Sequence, residues 1–297
     1  RSSDLESAQK VSIMKSLAFI HRNDTRFAIG DFYPALSVFS YQELGNTTSP
    51  FLLLDHLGPG RLEPKSNKKG VHEHPHRGFE TVTFVFAGEL EHQDSIGNGG
   101  VIGQGDVQWM TAASGIQHIE QFSPKFREQG GYFEMVQLWV NLPAKDKMST
   151  PHYQSLLNNT IPKILLKNDA GYVRIVAGQF QNIRGIAQTF SPMNVLDVHL
   201  KKDHQITLPA NHGDTTLIYL RRGKIQFSAD EDLLEEQAMA MMSSFDTDVQ
   251  VTALENCDLL FLSAPPLHEP INGHGFFVMN RYEEVLQAYE DLKMGRF

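Results

Sequence analysis

The sequence is poor in cysteine. Among 297 residues it contains a single one, Cys257. One cysteine excludes an intrachain disulfide and the zinc sites that are built from several thiolates. Such sparse usage is typical of a reducing compartment, so we expect a cytoplasmic protein. Cys257 lies in a strand-like apolar run, which favours a buried and inert thiol.

The chain also lacks an excess of positive charge and lacks long apolar runs. It carries 26 basic and 35 acidic residues, for a net charge of -9. An acidic chain without a segregated basic patch repels the phosphate backbone, so we predict no direct binding to nucleic acid. The apolar runs are too short to span a bilayer, and residues 1–20 have no signal-peptide core, so we predict no membrane association. We predict that residues 1–14 are an added or processed N-terminus that lies outside the two domains.

Short strand patterns are abundant. Runs of β-branched and aromatic residues bounded by Gly, Asn or Pro occur at 81–86, 108–110 and 136–140, which predicts strands and hairpins. Many short strands with few helices indicate an all-β sandwich or closed barrel. The length suits two domains, and the polar, Pro-marked stretch 142–165 reads as their connection. We predict domains at 15–145 and 146–297.

Two local patterns add detail. Residues 84–90 and 219–225 share an order of aromatic residue, glycine, charged residue and aliphatic residue, which makes Gly88 and Gly223 candidate equivalent turn glycines of a duplicated fold. Near the end, Asn280 and Glu283 resemble a capping box, and the apolar spacing predicts a C-terminal helix that stops near Gly295. The residues predicted for its packed face are Val285, Leu286, Tyr289 and Leu292.

The informative residues are two pairs of polar side chains. Because residues i and i+2 of a strand point to the same face, His74 and His76 can converge on one point, and so can His118 and Glu120. Three imidazoles and one carboxylate suit a mononuclear site for Fe, Mn, Co, Ni, Cu or Zn, with positions left for water, substrate or oxygen. Glu80 shares the strand parity of the first pair, so geometry alone leaves it open as a ligand.

These residues resemble the motifs of the cupin superfamily, in which a His-x-His with a glutamate four residues on precedes one more histidine. More specifically, residues 74–82, 105–112, 115–120, 137–142 and 277–280 resemble pirin and pirin-like proteins. The resemblance covers most of residues 15–297. It implies an all-β fold of two cupin-type β-barrels, a bicupin, with a C-terminal helix. It also implies a metal, most often iron, bound by His74, His76, His118 and Glu120, with Glu80 hydrogen-bonding a ligand instead.

Other side chains receive a plainer interpretation. We expect His72 at the rim, His92 facing solvent, and Trp109 and Trp139 filling core space. The C-terminal barrel is expected to have no metal site, because at the offset between the two turn glycines the residues that match His74, His76 and Glu80 are Pro209, Asn211 and Thr215.

The resemblance implies an oxygenase of the quercetin 2,3-dioxygenase type that cleaves a flavonol-like aromatic substrate. Glu120 would then serve as general base when it is not firmly bound to the metal. The alternative is a metal- or redox-dependent regulatory cofactor that binds protein partners, since pirins are also described as transcription cofactors. A storage or purely structural role is a third reading.

Overall fold

The structure is a computed structural model that describes residues 14–297. Up to residue 156 these residues form twelve strands with two short helices, α1 (Tyr41–Leu44) and α2 (Pro124–Gln129). The strands are, in chain order, β1 (Leu17–His21), β2 (Arg26–Ile29), β3 (Phe32–Ser40), β4 (Phe51–Leu62), β5 (Gly70–His76), β6 (Phe79–Ala87), β7 (Leu90–Asp94), β8 (Gly99–Ile102), β9 (Val107–Thr111), β10 (Ile116–Phe122), β11 (Gly131–Asn141) and β12 (His152–Leu156).

From residue 157 onward the chain adds fourteen strands and the helix α3 (Tyr282–Lys293). Single 3-10 turns lie at Gly45–Thr48, Ala144–Asp146 and Lys167–Asp169. The strands are β13 (Lys163–Leu165), β14 (Gly171–Ala177), β15 (Gln179–Phe180), β16 (Ile183–Arg184), β17 (Asn194–Leu200), β18 (Gln205–Leu208), β19 (Thr215–Arg222), β20 (Lys224–Phe227), β21 (Leu233–Glu235), β22 (Ala238–Met242), β23 (Val249–Ala253), β24 (Cys257–Ala264), β25 (Asn272–His274) and β26 (Phe277–Met279).

Each half forms a barrel of two antiparallel sheets. In the N-terminal barrel a seven-stranded sheet, ordered β12-β9-β6-β11-β4-β3-β2, faces a four-stranded sheet, ordered β5-β10-β7-β8. The C-terminal barrel repeats the plan with a seven-stranded sheet, β1-β22-β19-β24-β17-β14-β13, and a four-stranded sheet, β18-β23-β20-β21. The two-barrel, all-β prediction with a terminal helix is therefore confirmed.

The two barrels share strands across the predicted connection. Strand β1, from the start of the described chain, pairs with β22 of the C-terminal barrel. Strand β12 lies inside the stretch 142–165 and pairs with β9 of the N-terminal barrel, while β13 pairs with β14 of the other barrel. The boundary between residues 145 and 146 stays a prediction, and the N-terminal end at 1–14 falls outside the described residues except for Met14.

A continuous apolar core joins the barrels. It contains Trp109 and Leu138 from the N-terminal barrel together with Tyr219 and Leu262 from the C-terminal one, all buried. Burial of large apolar side chains from both halves supplies the main driving force for their association. Cys257 is also buried, as predicted.

The duplication inferred from the turn glycines is visible in the hairpins. Gly88 joins β6 to β7 and has a φ of 86°, and Gly223 joins β19 to β20 and has a φ of 88°. This left-handed conformation is strained for any residue with a Cβ atom, so both turns favour glycine. The predicted equivalence of the two hairpins is confirmed.

The C-terminal helix forms, but its details differ from the prediction. Its N-cap is Arg281, and Glu284 closes the capping box by accepting from the Arg281 backbone N–H at 2.9 Å. The cap therefore lies one residue beyond Asn280 and Glu283. Val285 and Ala288 form the buried face, whereas Leu286 is exposed because the helix packs by a narrower stripe than the apolar spacing indicated. None of the helices formed by residues 14–297 combines the length and apolarity needed to cross a membrane.

Candidate metal centre

Two adjacent strands bring three histidines together inside the N-terminal barrel. His118 on β10 is the direct cross-strand partner of His74 on β5, and Ile116 partners His76. The ring centroids lie 4.3 Å apart for His74 and His118, 4.8 Å for His74 and His76, and 5.0 Å for His76 and His118. One ring nitrogen from each residue falls within 4.8 Å of the others. We call these three residues the histidine cluster.

Hydrogen bonds leave the inner nitrogens of the cluster available. His74 Nδ1 lies 2.7 Å from the His72 carbonyl, and His76 Nδ1 lies 3.4 Å from the Phe276 carbonyl. A carbonyl only accepts, so each Nδ1 carries the proton and each Nε2 keeps its lone pair. This is the tautomer that a metal requires, and backbone carbonyls commonly orient ligating imidazoles in this way.

The Nε2 atom of His118 gives the strongest indication that the site suits a metal ion. It is fully buried and has no hydrogen-bond partner among the described residues. A buried polar atom without a partner costs on the order of 1–3 kcal/mol. A metal ion held between this nitrogen and the free nitrogens of His74 and His76 would satisfy it, so the donor set fits a bound ion.

Burial keeps two of the imidazoles neutral. It lowers the pKa of His76 well below 6.5, with a further contribution from His74. Burial likewise lowers the pKa of His118 well below 6.5, and the neighbouring histidines His76, His74 and His92 add to the effect. Neutral imidazoles are the form that binds metal ions, so these rings need not lose a proton first.

Glu120 reaches the cluster from one side. Its carboxylate falls in a second group with His92 and His118, whose ligand atoms lie within 4.8 Å of one another, but not in the group with His74 and His76. A β-bulge between His118 and Glu120 shifts the register, so that Glu120 lies opposite Val71. The structure thus assembles the three predicted histidines and places Glu120 beside His118.

The opposite sheet holds the Glu120 carboxylate. Thr83 and Gln108 donate to Oε1 at 3.2 and 3.1 Å, and Gln137 donates to Oε2 at 2.8 Å. An ionised carboxylate offers about four acceptor positions. One position therefore remains, on Oε2, for a metal ion or a proton.

Glu80 occupies a different environment. It is buried on β6, and Thr111 donates to its Oε1 at 2.6 Å. Burial raises the pKa of Glu80 to about 7, although the Thr111 hydrogen bond opposes the shift. Neither group of possible metal ligands found among the described residues includes Glu80, whereas one of them includes Glu120.

His92 corrects the sequence interpretation. The prediction that it faces solvent is wrong, because its side chain is only 1% exposed. Its Nδ1 lies 3.5 Å from His118 Nδ1, its Nε2 lies 3.2 Å from an Asp94 oxygen, and its ring stacks on Tyr153. The parity that His92 shares with the apolar Leu90 was the signal that could have placed it inside the barrel.

The remaining predicted residues lie near the site or outside it. His72 is exposed, as expected for a rim residue. Trp109 fills the core, whereas Trp139 is only partly buried and lies 5.3 Å from the His76 ring, so it lines the site. In the C-terminal barrel, Asn211 donates to Asp214 and Thr215 donates to the Ser49 carbonyl. Both metal-ligating groups in the described part of the chain belong to the N-terminal barrel.

The space inside the barrel is small. A cavity of about 20 Å³ lies beside Glu120, lined by apolar side chains including Phe32, Leu57 and Met135. Such a volume holds about one water molecule. An aromatic substrate does not fit there, and none of the cluster histidines lines this cavity. Within the cluster His76 and His118 are buried and His74 is partly exposed, so the side of His74 is the one that faces outward.

Comparison with known proteins agrees with this architecture. Residues 34–140 match the Pirin family model, and residues 195–297 match the Pirin C-terminal cupin domain. The protein named "Putative quercetin 2,3-dioxygenase" in Pseudomonas aeruginosa is 48% identical, over 96% of this chain and 99% of its own length. The chain belongs to the pirin family. Its two barrels are therefore cupin domains, and the histidine cluster lies in the first of them.

Solved structures support the same assignment. A crystal structure of quercetin 2,3-dioxygenase from Acinetobacter baumannii is 43% identical and superposes with a TM-score of 0.92, covering 96% of this chain and 98% of that one. A bacterial pirin from Escherichia coli, solved in complex with nickel(II), shares the fold at 19% identity, with a TM-score of 0.62 over 84% of this chain and 99% of that one.

Proposed function

We propose that the chain is a mononuclear metal-dependent oxygenase of the quercetin 2,3-dioxygenase type that acts on flavonol-like substrates. The observation that carries the proposal is the Nε2 of His118, which is buried against His74 and His76 and has no hydrogen-bond partner within residues 14–297. Relatives named as quercetin 2,3-dioxygenases, one of them 48% identical, supply the reaction class.

We propose that His74, His76, His118 and Glu120 hold the metal. The fourth position rests on the free acceptor site of Glu120 Oε2 and on the grouping of the Glu120 carboxylate with His118. Iron is the expected ion from the resemblance to pirins, and Mn, Co, Ni, Cu or Zn also suit imidazole and carboxylate donors. Nickel is a practical probe, because a pirin relative has been solved with nickel(II).

Bound there, the metal would supply Lewis-acid stabilisation of a flavonol oxyanion and bring substrate and dioxygen together for ring cleavage. The chain itself holds the imidazoles in the required tautomer through the His72 and Phe276 carbonyls. Glu120 is our candidate general base when it is not firmly bound to the metal, because the one free acceptor position on Oε2 can then take a substrate proton. Thr83, Gln108 and Gln137 fix that carboxylate in place.

The test is anaerobic purification followed by measurement of metal content, quercetin loss and oxygen uptake. We expect turnover in the native protein, none after metal removal, and recovery on reloading with metal. His76→Ala should abolish turnover, whereas His72→Ala, at an exposed position on the same strand, should retain it. Turnover that survives complete metal removal would sink the oxygenase proposal.

One observation favours the regulatory alternative. The cavity beside Glu120 is about 20 Å³, far below the volume of a flavonol. A metal centre in which two of the three imidazoles are buried could instead alter the protein surface with its redox state and so control a protein partner. Under that alternative, partner affinity differs between the ferrous and ferric protein, and equal affinities would count against it. A cytoplasmic location remains part of either proposal.

A further inference from the structure

The C-terminal tail returns to the metal centre of the N-terminal barrel. Strands β25 and β26 form a hairpin, and Phe276 lies in its turn. The Phe276 ring centroid is 5.5 Å from the ring of His74 and 5.9 Å from that of His76. Its carbonyl is the acceptor for His76 Nδ1. One residue of the tail therefore contacts two members of the histidine cluster.

The hairpin is firmly held against the site. The Arg77 backbone N–H donates to the Phe276 carbonyl at 3.4 Å, and the Val278 N–H donates to the Arg77 carbonyl at 3.0 Å. The Tyr289 hydroxyl on α3 donates to the His274 carbonyl at 3.2 Å. Phe276 is thus positioned by backbone pairing on one side of the turn and by the helix on the other.

The position of the ring matters because of how the cluster is enclosed. His76 and His118 are buried, and the interior cavity beside Glu120 has no room for an aromatic molecule. The partly exposed edge of His74 is left as the outer approach. The Phe276 ring lies at that edge and is itself 43% exposed, so it meets both the cluster and whatever approaches it.

We infer that Phe276 gates the outer approach to the metal centre and forms the wall against which a planar aromatic substrate packs. The gating role follows from its contacts with His74 and His76. The substrate-wall role rests on the proposed function. A ring that is half exposed can stack or meet edge-to-face with an aromatic ligand, in the geometry that aromatic pairs prefer. Phe276 is therefore a specificity-determining residue supplied to the first barrel by the tail of the second.

The gating role is tested without any turnover. Nickel-loaded wild type and Phe276→Ala are mixed with the coloured chelator 4-(2-pyridylazo)resorcinol, and the rate of nickel loss is followed. Phe276→Ala keeps the carbonyl that orients His76, so nickel stoichiometry should equal that of the wild type while loss becomes about tenfold faster, matching an aromatic contact of about 1.4 kcal/mol.

Two further variants sharpen the result. Phe245→Ala removes another exposed phenylalanine ring, in the C-terminal barrel, and should leave the rate unchanged. Phe276→Leu restores bulk and should return the rate most of the way to that of the wild type. Equal rates for Phe276→Ala and wild type overturn the inference, and so does a failure of the wild type to bind nickel.

The substrate-wall role is measured as the equilibrium affinity of nickel-loaded protein for quercetin. We expect Phe276→Ala to bind about threefold to tenfold more weakly than the wild type, and Phe276→Tyr to bind as well as the wild type. Binding of quercetin without its turnover would rule out the oxygenase proposal but would leave the substrate-wall role of Phe276 supported. Unchanged affinity in Phe276→Ala, or no binding of quercetin by the wild type, would overturn the substrate-wall role. The chelator rates test the gating role in either case.

Discussion

The carboxylate of Glu120 connects two sheets of the first barrel. It lies beside His118 on the four-stranded sheet and accepts hydrogen bonds from three residues of the seven-stranded sheet. Glu80 is equally buried, but its carboxyl is engaged by Thr111 and lies outside both metal-ligating groups of the described residues. Each glutamate lies close in sequence to cluster histidines, Glu80 to His76 and Glu120 to His118, but their surroundings in the fold differ.

Substitution of each glutamate by glutamine tests which of the two contributes to metal binding. Glu120→Gln should weaken metal binding by on the order of 100-fold, because a neutral amide in the ligand position attracts a cation far less. Glu80→Gln should change the metal affinity by less than about tenfold. A pKa of about 7 allows Glu80 to be protonated near neutral pH, and an amide resembles the protonated acid. Competition with a metal indicator measures both affinities, and the reverse order would make Glu80 the ligand.

Residue identity and spacing predict part of this site. Strand parity is enough to pair His74 with His76 and His118 with Glu120, and the family resemblance adds the preference for Glu120 over Glu80 as a ligand. Parity could not reveal the β-bulge that displaces Glu120 by one position, because a bulge depends on the partner strand. His92 shares the parity of the buried Leu90, but its polar segment near a glycine-rich turn resembles an exposed hairpin, and the prediction followed that resemblance.

At the scale of elements, Lys147 links the motif of β5 to the C-terminal hairpin. Its ammonium is buried and donates to the Gly78 carbonyl at 2.7 Å and to the Val278 carbonyl at 2.9 Å, and it also contacts Asn141 Oδ1. Burial lowers the pKa of Lys147 to about 7. These bonds join the loop after His76 to the strand that follows Phe276.

Lys147→Met should destabilise the protein by about 2–4 kcal/mol, because buried carbonyls lose their donor. Lys145→Met is the matched control: its side chain is 81% exposed, so its loss should change stability by less than about 0.5 kcal/mol. Denaturant unfolding followed by fluorescence measures both. Equal stabilities of the two variants would show that the Lys147 bonds do not hold the hairpin.

The strands were predictable because runs of β-branched and aromatic residues bounded by Gly, Asn or Pro are a local feature of the sequence. The C-terminal helix was predictable as an element, but its cap and its buried face were not. Glu284 rather than Glu283 closes the cap, and Ala288 rather than Leu286 is buried. Which side of the helix meets the barrel depends on residues such as Phe277, which lie on the partner element.

At the scale of the whole molecule, Glu134 joins the two barrels. It lies on β11 of the first barrel and accepts from Arg221 at 2.6 Å, and it also pairs with Arg222 and with His56. Burial alone would raise its pKa, but His56 and Arg221 outweigh burial and hold the pKa of Glu134 at about 2. This network joins residues that are far apart in sequence, as does the pairing of β1 with β22. Local sequence patterns therefore do not predict it.

Glu134→Gln should cost about 3–5 kcal/mol at neutral pH, because two buried or half-buried guanidinium groups lose their counter-charge. The pKa of Glu134 in the folded protein lies below the ordinary 4.5, so its carboxylate stabilises the fold fully above pH 4.5. This stabilisation is lost as the pH falls towards 2. The stability gap between wild type and variant should therefore narrow from pH 7 to pH 3. Glu235→Gln, in an exposed pair with Lys224, is the control, and a gap independent of pH would contradict the account.

The central claim is that one metal ion is bound through the histidine cluster. The most direct measurement is nickel titration of metal-free wild type, His118→Ala and His72→Ala, with metal-edge X-ray absorption to count imidazole ligands. We predict one ion per chain with three imidazoles in the wild type and in His72→Ala, and affinity lower by at least about 100-fold in His118→Ala. Binding by His118→Ala at the wild-type affinity, or no binding by the wild type, would contradict the claim.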